Sequence, residues 1–162
     1  MFGRSELIAK TLIRAEGPVA PAEIVRRLPL FIWTLDKGGR FEFVNDWFFS
    51  YGRLKHDQAL ELGCRALMPE HELSHSAERW RRAQASGQGY EAIVHFHCGP
   101  GGELRKHKLR LTALHDSQGE VVRWIGYALE LGENASENMV AFLRELFSTT
   151  EPLTLKPAVS LL

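Results

Sequence analysis

The 162-residue chain has only two cysteines, no long apolar run and no excess of charge of either sign. Cys64 and Cys98 lack the spacing of a zinc or redox motif, and a chain of this length buries enough apolar surface to fold without disulfides or a structural metal. No apolar run approaches the roughly 20 residues of a membrane-spanning helix, so no membrane segment is predicted. With so few cysteines and no signal-peptide pattern at the start, the sequence favours a cytoplasmic protein.

The charge balance also argues against one class of partner. Twenty basic side chains match twenty acidic ones, whereas a nucleic-acid-binding domain usually carries a basic face or a high pI. Two short basic clusters, in residues 79–82 and 105–110, fall in a predicted helix and a predicted strand and are typical of solvated faces. No nucleic-acid partner is expected.

Helices are predicted at both ends of the chain. Apolar residues of SELIAKTLIRAE recur at near-helical spacing, and a second short helix, AEIVRRL, ends before Pro29. Near the other end, ENMVAFLRELF carries apolar residues at i, i+3, i+4 and i+7, with Ser136 as its predicted N-cap. The predicted organisation is N-terminal flanking helices at 1–28, a sheet-containing domain at 29–132, a C-terminal helix at 133–149 and a disordered tail at 150–162.

Five strands are predicted between the flanking helices. FIWTLD and RFEFVND form a hairpin, and YEAIVHFHC, LRKHKLRLTALHD and VVRWIGYALEL follow one another later in the chain. Between these groups the sequence predicts short helices that end at Gly52 and Gly63 and a longer helix over residues 70–85. One antiparallel sheet with a helical insert is an α+β domain.

This order of elements resembles the PAS sensor-domain superfamily over residues 29–131. LPLFIWTLDKGGRFEFVNDWFFSYG resembles its opening hairpin and first helix, including Asn45 after the second strand. MPEHELSHSAERWRRAQASGQGYEAIVHF resembles its connector helix and third strand, and DSQGEVVRWIGYALEL its last hairpin. Because no kinase, cyclase or helix-turn-helix segment follows, the resemblance implies a stand-alone sensor or adaptor in bacterial-type signal transduction that acts through partners and is not an enzyme.

The aromatic residues of the first hairpin and the following helix suit a core and, by the resemblance, a ligand pocket. Lys106, Ala113 and Glu130 depart from residues that relatives often have, so the resemblance leaves the preferred ligand open. The predicted pocket residues are Trp33, Val44, Phe48, Tyr51, Cys64, Leu67 and Phe96.

Cys64 raises the alternative of a flavin. Its segment, Gly-Cys-Arg-Ala-Leu, partly resembles the Cys-Arg-x-Leu centre of flavin-binding light sensors in the superfamily. The neighbouring positions differ, with Gly63 and Met68, and GYALEL lacks an amide that would pair with the polar edge of a flavin. A small buried thiol is therefore the expected role of Cys64.

His71 and His75 raise the alternative of haem. They lie four residues apart on one face of the predicted long helix, and by the resemblance either could ligate haem, although a full set of metal ligands is missing. No cofactor is expected, and haem and flavin remain alternatives. A second alternative is a small-molecule enzyme similar to steroid isomerases, which needs an acid or base deep in a cavity; no Asp has a clear claim to that role.

Apolar side chains on both faces of the last predicted strand indicate that the side away from the helical insert is also covered. The flanking helices are the available covers, from the same chain or from a second copy, and a homodimer is the favoured prediction. A further predicted partner is an unidentified signalling protein, whose affinity for the domain changes when a small ligand occupies the pocket. The predicted contact residues are Leu7, Ile8, Leu12, Trp124, Phe142, Leu143 and Leu146.

Overall fold

In the computed structural model, residues 21–147 are described, and they form a five-stranded antiparallel sheet with a helical insert. The predicted helix over residues 5–16 and the predicted tail at 150–162 lie outside these residues. The predicted contact residues Leu7, Ile8 and Leu12 lie outside them as well. The predicted α+β architecture is confirmed.

The elements follow the predicted order. They are α1 (Pro21–Arg27), β1 (Phe31–Asp36), β2 (Phe41–Val44), α2 (Trp47–Ser50), α3 (His56–Leu62), a 3-10 helix (Gly63–Ala66), α4 (Glu70–Ser86), β3 (Tyr90–Cys98), β4 (Glu103–His115), β5 (Val121–Glu130) and α5 (Glu133–Phe147).

Helix α5 begins at Glu133, so the predicted N-cap at Ser136 is wrong. Gly132 adopts φ +114°, which ends the strand and turns the chain directly into the helix. Glu133 then places a carboxylate in the first turn, where the partial positive charge of the helix N-terminus favours it. Ser136 therefore lies inside the helix.

The sheet has the strand order β2-β1-β5-β4-β3, and every neighbouring pair is antiparallel. The last strand along the chain is therefore the central one, because two strands lie on each side of β5. In this register Trp33 on β1 stands opposite Gly126 on β5. The arrangement brings the first hairpin and the last hairpin of the domain together.

The core lies between the helical insert and the inner face of the sheet. Because side chains alternate along a strand, β3 directs Val94, Phe96 and Cys98 inward. At the centre, Phe31 contacts Phe48 and Phe96 edge-on, with ring centroids 5.0 and 5.4 Å apart. Each such buried aromatic side chain stabilises the fold by roughly 1.5–3 kcal/mol relative to an exposed one.

Trp124 belongs to this core, and its predicted place on an exposed contact surface is wrong. Its side chain is 1% exposed, and its ring meets Trp80 of α4 edge-on at 5.2 Å. Trp124 pairs across the sheet with Leu35 and Ala113, whose side chains face the insert as well. The outer face of β5 instead carries Ile125.

A single buried side chain, Asn45, connects α1 to the sheet by hydrogen bonds. Its Oδ1 accepts a hydrogen bond from the backbone N–H of Ile32 at 3.1 Å. Its Nδ2 faces three carbonyls, those of Leu30 at 2.8 Å and of Val25 and Leu28 at 3.2 Å each. These bonds join the end of α1 and the entry to β1 to the end of β2.

Candidate ligand-binding site

A cavity of about 250 Å³ lies between α4 and the inner face of the sheet. Its apolar walls come from distant parts of the chain, so it exists only in the folded domain. Apolar walls with a few polar groups are typical of small-molecule sites. The main apolar wall residues are Trp33, Leu35, Phe41, Trp80, Leu109 and Leu111.

Of the predicted pocket residues, Trp33 and Cys64 line this cavity. The other five are buried in the core beside it. The rings of Phe48 and Phe96 close around Phe31 and fill that part of the interior, so the open space lies on the Trp80 side. These five residues are Val44, Phe48, Tyr51, Leu67 and Phe96.

Trp80 and Tyr90 are lining residues that the sequence prediction missed. The alternation of β3 puts Tyr90 on the same face as Phe96, a predicted pocket residue, and this was a usable signal. No comparable signal existed for Trp80, because its contribution depends on how α4 crosses the sheet.

Two glycines let the tryptophan walls lie directly against the backbone. A Cβ at Gly126 would overlap the indole of Trp33, and one at Gly39 would lie 2.5 Å from Cζ2 of Trp80. Gly39 also adopts φ +94° in the turn between β1 and β2. The turn between β1 and β2 therefore packs against Trp80 of α4, and the central strand packs against Trp33 of β1.

The thiol of Cys64 is unreactive in this position. Burial raises its pKa to about 12, so the protonated form dominates at neutral pH. Because the thiolate is the nucleophilic and metal-binding form, Cys64 contributes a small apolar surface and a weak donor to the cavity.

A separate polar cluster connects the core to α5. The carboxylate of Glu130, at the end of β5, is buried and accepts hydrogen bonds from Tyr51 Oη at 2.6 Å and Arg105 Nη1 at 3.2 Å. Asn134 in the first turn of α5 donates to the same carboxylate at 3.4 Å. Burial, and then the neighbouring Glu130 carboxylate, raises the pKa of Tyr51. Glu130 thus links the sheet to the C-terminal helix.

His107 is fully buried beside this cluster, with its ring centroid 4.8 Å from that of Phe96 and 5.6 Å from that of Phe31. Its Nδ1 lies 2.8 Å from the carbonyl of Arg105, so this nitrogen carries the proton and donates. Its Nε2 has no hydrogen-bond partner among the described residues. Burial lowers the pKa of His107 below its usual value of 6.5.

The lowered pKa of His107 predicts a loss of stability in mild acid. As the pH falls through 6.5, the unfolded chain takes up a proton before the folded one does, so the free energy of unfolding decreases. The slope has an upper limit of about 1.4 kcal/mol per pH unit for one proton. Urea unfolding between pH 7.5 and 5 measures this slope, and we expect His107→Phe to flatten it. Equal slopes for the two proteins would contradict the assignment.

A family model described as PAS fold matches residues 25–136. This span is well over half of the chain. The chain belongs to the PAS family. The resemblance to the PAS superfamily that the sequence indicated is therefore confirmed.

Solved structures show the same PAS fold. An RNA-binding light-oxygen-voltage receptor is 17% identical with a TM-score of 0.56, over 83% of this chain and 41% of that receptor. The PAS domain of a Colwellia psychrerythraea protein is 14% identical with a TM-score of 0.54, over 68% of this chain and 92% of that one. The light-state LOV domain of the photoreceptor Aureochrome1 is 16% identical with a TM-score of 0.54, over 78% and 99% of the two chains. At these identities the likeness shows the fold alone.

The chain spans less than half of that RNA-binding receptor, at 41% of its length. No curated protein sequence matches this chain. Of the helices within residues 21–147, none has the length and apolar character to cross a membrane.

The flavin alternative gains no support from the residues of this PAS cavity. None of its described lining side chains is an amide, although the polar edge of a flavin needs hydrogen-bonding partners. The volume of about 250 Å³ also lies below the roughly 300–1,000 Å³ typical of sites for drug-sized ligands.

A haem held by His71 or His75 does not fit this cavity. Both histidines are exposed on α4, and neither lines the cavity. A directly coordinated metal ion is a separate case, and within residues 21–147 no group of three His, Cys, Asp or Glu side chains comes together to hold one.

Proposed function

We propose that this PAS domain is a sensor in signal transduction that acts by binding a small ligand in the α4 cavity. The observation that carries the proposal is the cavity itself, an apolar space beside a tightly filled core. The described lining residues include no Asp, Glu or His, so an acid–base enzyme of the steroid isomerase type would lack a carboxylate or imidazole base there. The proposed module works through partners in the cytoplasm and not through catalysis.

The contacts around the cavity offer a route from ligand to α5. Trp80 lines the cavity and meets Trp124 of the central strand at 5.2 Å. The same strand ends at Glu130, which holds Asn134 of α5. A ligand that prefers one position of Trp80 would shift the population of α5 arrangements by its difference in affinity for them.

We also propose that one partner is a second copy of the chain, beside an unidentified signalling protein. The outer sheet face exposes apolar side chains, with Ile93, Ile125 and Leu129 exposed by 47%, 39% and 38%. On α5, Val140 is 46% exposed, whereas Phe142 is half-buried. The side chains of Leu143 and Leu146 lie outside the described part of the structure. Light scattering at micromolar concentration should give twice the mass of one chain; a single-chain mass would contradict the dimer.

A blocked cavity tests the sensor proposal. Ser76 lines the cavity on α4, whereas Ser74 is exposed on the same helix. We expect Ser76→Trp to fill the space with an indole ring and to weaken binding of free indole at least tenfold by calorimetry. Ser74→Trp should bind indole like the unchanged protein.

The same titration followed by amide NMR tests gating. Indole should shift the resonances of α5 as well as those of the cavity wall. Equal indole binding by the Ser76→Trp and Ser74→Trp variants would place the ligand elsewhere, and α5 resonances that stay fixed on binding would contradict transmission to that helix.

A further inference from the structure

The polar side chains of the cavity share one property: each of them can donate a hydrogen bond. The described lining contains no carboxylate, no amide and no imidazole. The hydroxyls of Ser76 and Tyr90 both donate and accept, but guanidinium and indole groups only donate. The donor-only groups of the lining therefore favour a ligand with acceptor oxygens. The donor-bearing lining residues are Trp33, Cys64, Arg65, Ser76, Trp80, Arg81 and Tyr90.

The only charged side chains in the described lining are Arg65 and Arg81. Arg65 reaches two backbone carbonyls, those of Glu61 and Leu62, at a long 3.4 Å each, and it forms no ion pair with any residue in 21–147. Arg81 pairs with Glu78 at 2.7 Å, but with 72% of its side chain exposed this is a weak surface pair. Both guanidinium groups are therefore available to an anion at the cavity.

The apolar walls determine the shape of the part of the ligand that lies away from the arginines. Two indoles held against glycine backbone form fixed walls of the cavity, which suit a flat ring because aromatic groups stack or meet edge-on. The volume of about 250 Å³ leaves room for a ligand smaller than a typical drug molecule.

We infer that the cavity selects a compact aromatic carboxylate, with the ring between the indole walls and the anionic group at Arg65 and Arg81. The inference rests on the proposed function, because it names the ligand class of the same cavity. An amine of the same shape would place its positive charge beside two guanidinium groups and would leave the donors without acceptors. Selectivity should therefore follow the charge of the ligand.

Three probes of similar shape separate charge from ring binding. Indole-3-acetate is an anion, indole-3-acetamide is neutral and tryptamine is a cation. By calorimetry on the full chain at moderate salt, we expect indole-3-acetate to bind at least tenfold more tightly than the amide, and tryptamine to bind most weakly. Tryptamine or amide binding as tight as that of the acetate would overturn the inference.

A pair of neighbouring arginines supplies the matched control. Arg81 and Arg82 both pair with Glu78, at 2.7 and 3.1 Å, but only Arg81 lines the cavity. We expect Arg81→Gln to weaken indole-3-acetate binding at least threefold without changing amide binding, and Arg82→Gln to change neither. Arg65→Gln should act like Arg81→Gln. Equal losses in the Arg81→Gln and Arg82→Gln variants would show a general surface-charge effect and overturn the assignment.

The outcomes separate this inference from the proposed function. If indole binds and is blocked by Ser76→Trp, but the acetate gains nothing over the amide, the ligand class is wrong and the cavity remains the sensor site. If neither indole nor any of the three probes binds, the inference fails and the ligand-sensing proposal loses its support.

Discussion

Replacement of Asn45 by leucine is expected to lower the free energy of unfolding by roughly 3–5 kcal/mol, since each buried polar group left without a partner costs about 1–3 kcal/mol. The leucine would have a similar volume, but it would leave the N–H of Ile32 and the carbonyls around Nδ2 without their partners. Asn45 is 0% exposed, so water does not replace these bonds. The loss should be measured by urea unfolding.

The position of the damage is also predictable. The carbonyls of Val25 and Leu28 belong to α1 and the residues just after it, so hydrogen exchange should show loss of protection in residues 21–30 at lower denaturant than in β3 and β4. Asn134→Leu is the matched control, because Asn134 is exposed and makes a single bond of 3.4 Å. Its cost should stay within about 0.5 kcal/mol, as for most surface changes. A similar cost for the two leucine variants would contradict the role of Asn45.

The strands and turns were predictable because their signals are local. The alternation of YEAIVHFHC divides the residues of β3 between two faces, and that division is present in the structure. Asn45 was noted in the sequence only as part of the resemblance to the opening hairpin. Its four bonding partners lie 13 to 20 residues away, however, so its role required the fold.

The cavity was only partly predictable because it depends on long-range contacts. Trp33 and Cys64 were predicted, but Trp80 enters the wall only because α4 crosses the sheet where Gly39 leaves room. Glu130 is a second example. The sequence marked it as a departure from relatives, whereas the structure makes it the acceptor for Tyr51 and Arg105.

Trp124 and Ile125 show that alternation along a strand does not by itself identify the inner face of the sheet. They are neighbours on one strand, and both are large and apolar, so the pattern separates them onto two faces without indicating which face is inner. Register decides, since Trp124 pairs with inward residues and Ile125 with Thr34 and Thr112. The two positions therefore give an experiment in which the same substitution is made on opposite faces of one strand.

Trp124→Glu is expected to abolish the fold. Truncation of a buried tryptophan costs roughly 3–5 kcal/mol, and the new carboxylate would be buried beside Trp80 at a position that is 1% exposed. A buried unpaired charge adds several kcal/mol more, so the total approaches the roughly 5–15 kcal/mol that stabilise a whole domain. Circular dichroism and thermal unfolding should show loss of cooperative unfolding, whereas Trp124→Phe should remain folded with a lower midpoint.

Ile125→Glu should behave in the opposite way. The side chain is 39% exposed, so the glutamate remains in water and the monomer keeps its circular dichroism spectrum and a cooperative unfolding transition. If a second copy covers the outer face, the same glutamate is buried at that interface, and light scattering should show the mass falling from two chains to one. A folded Trp124→Glu variant would contradict the inner position of Trp124. If the Ile125→Glu variant is still a dimer, the dimer contact does not include the centre of the outer sheet face. A glutamate buried there would have weakened association.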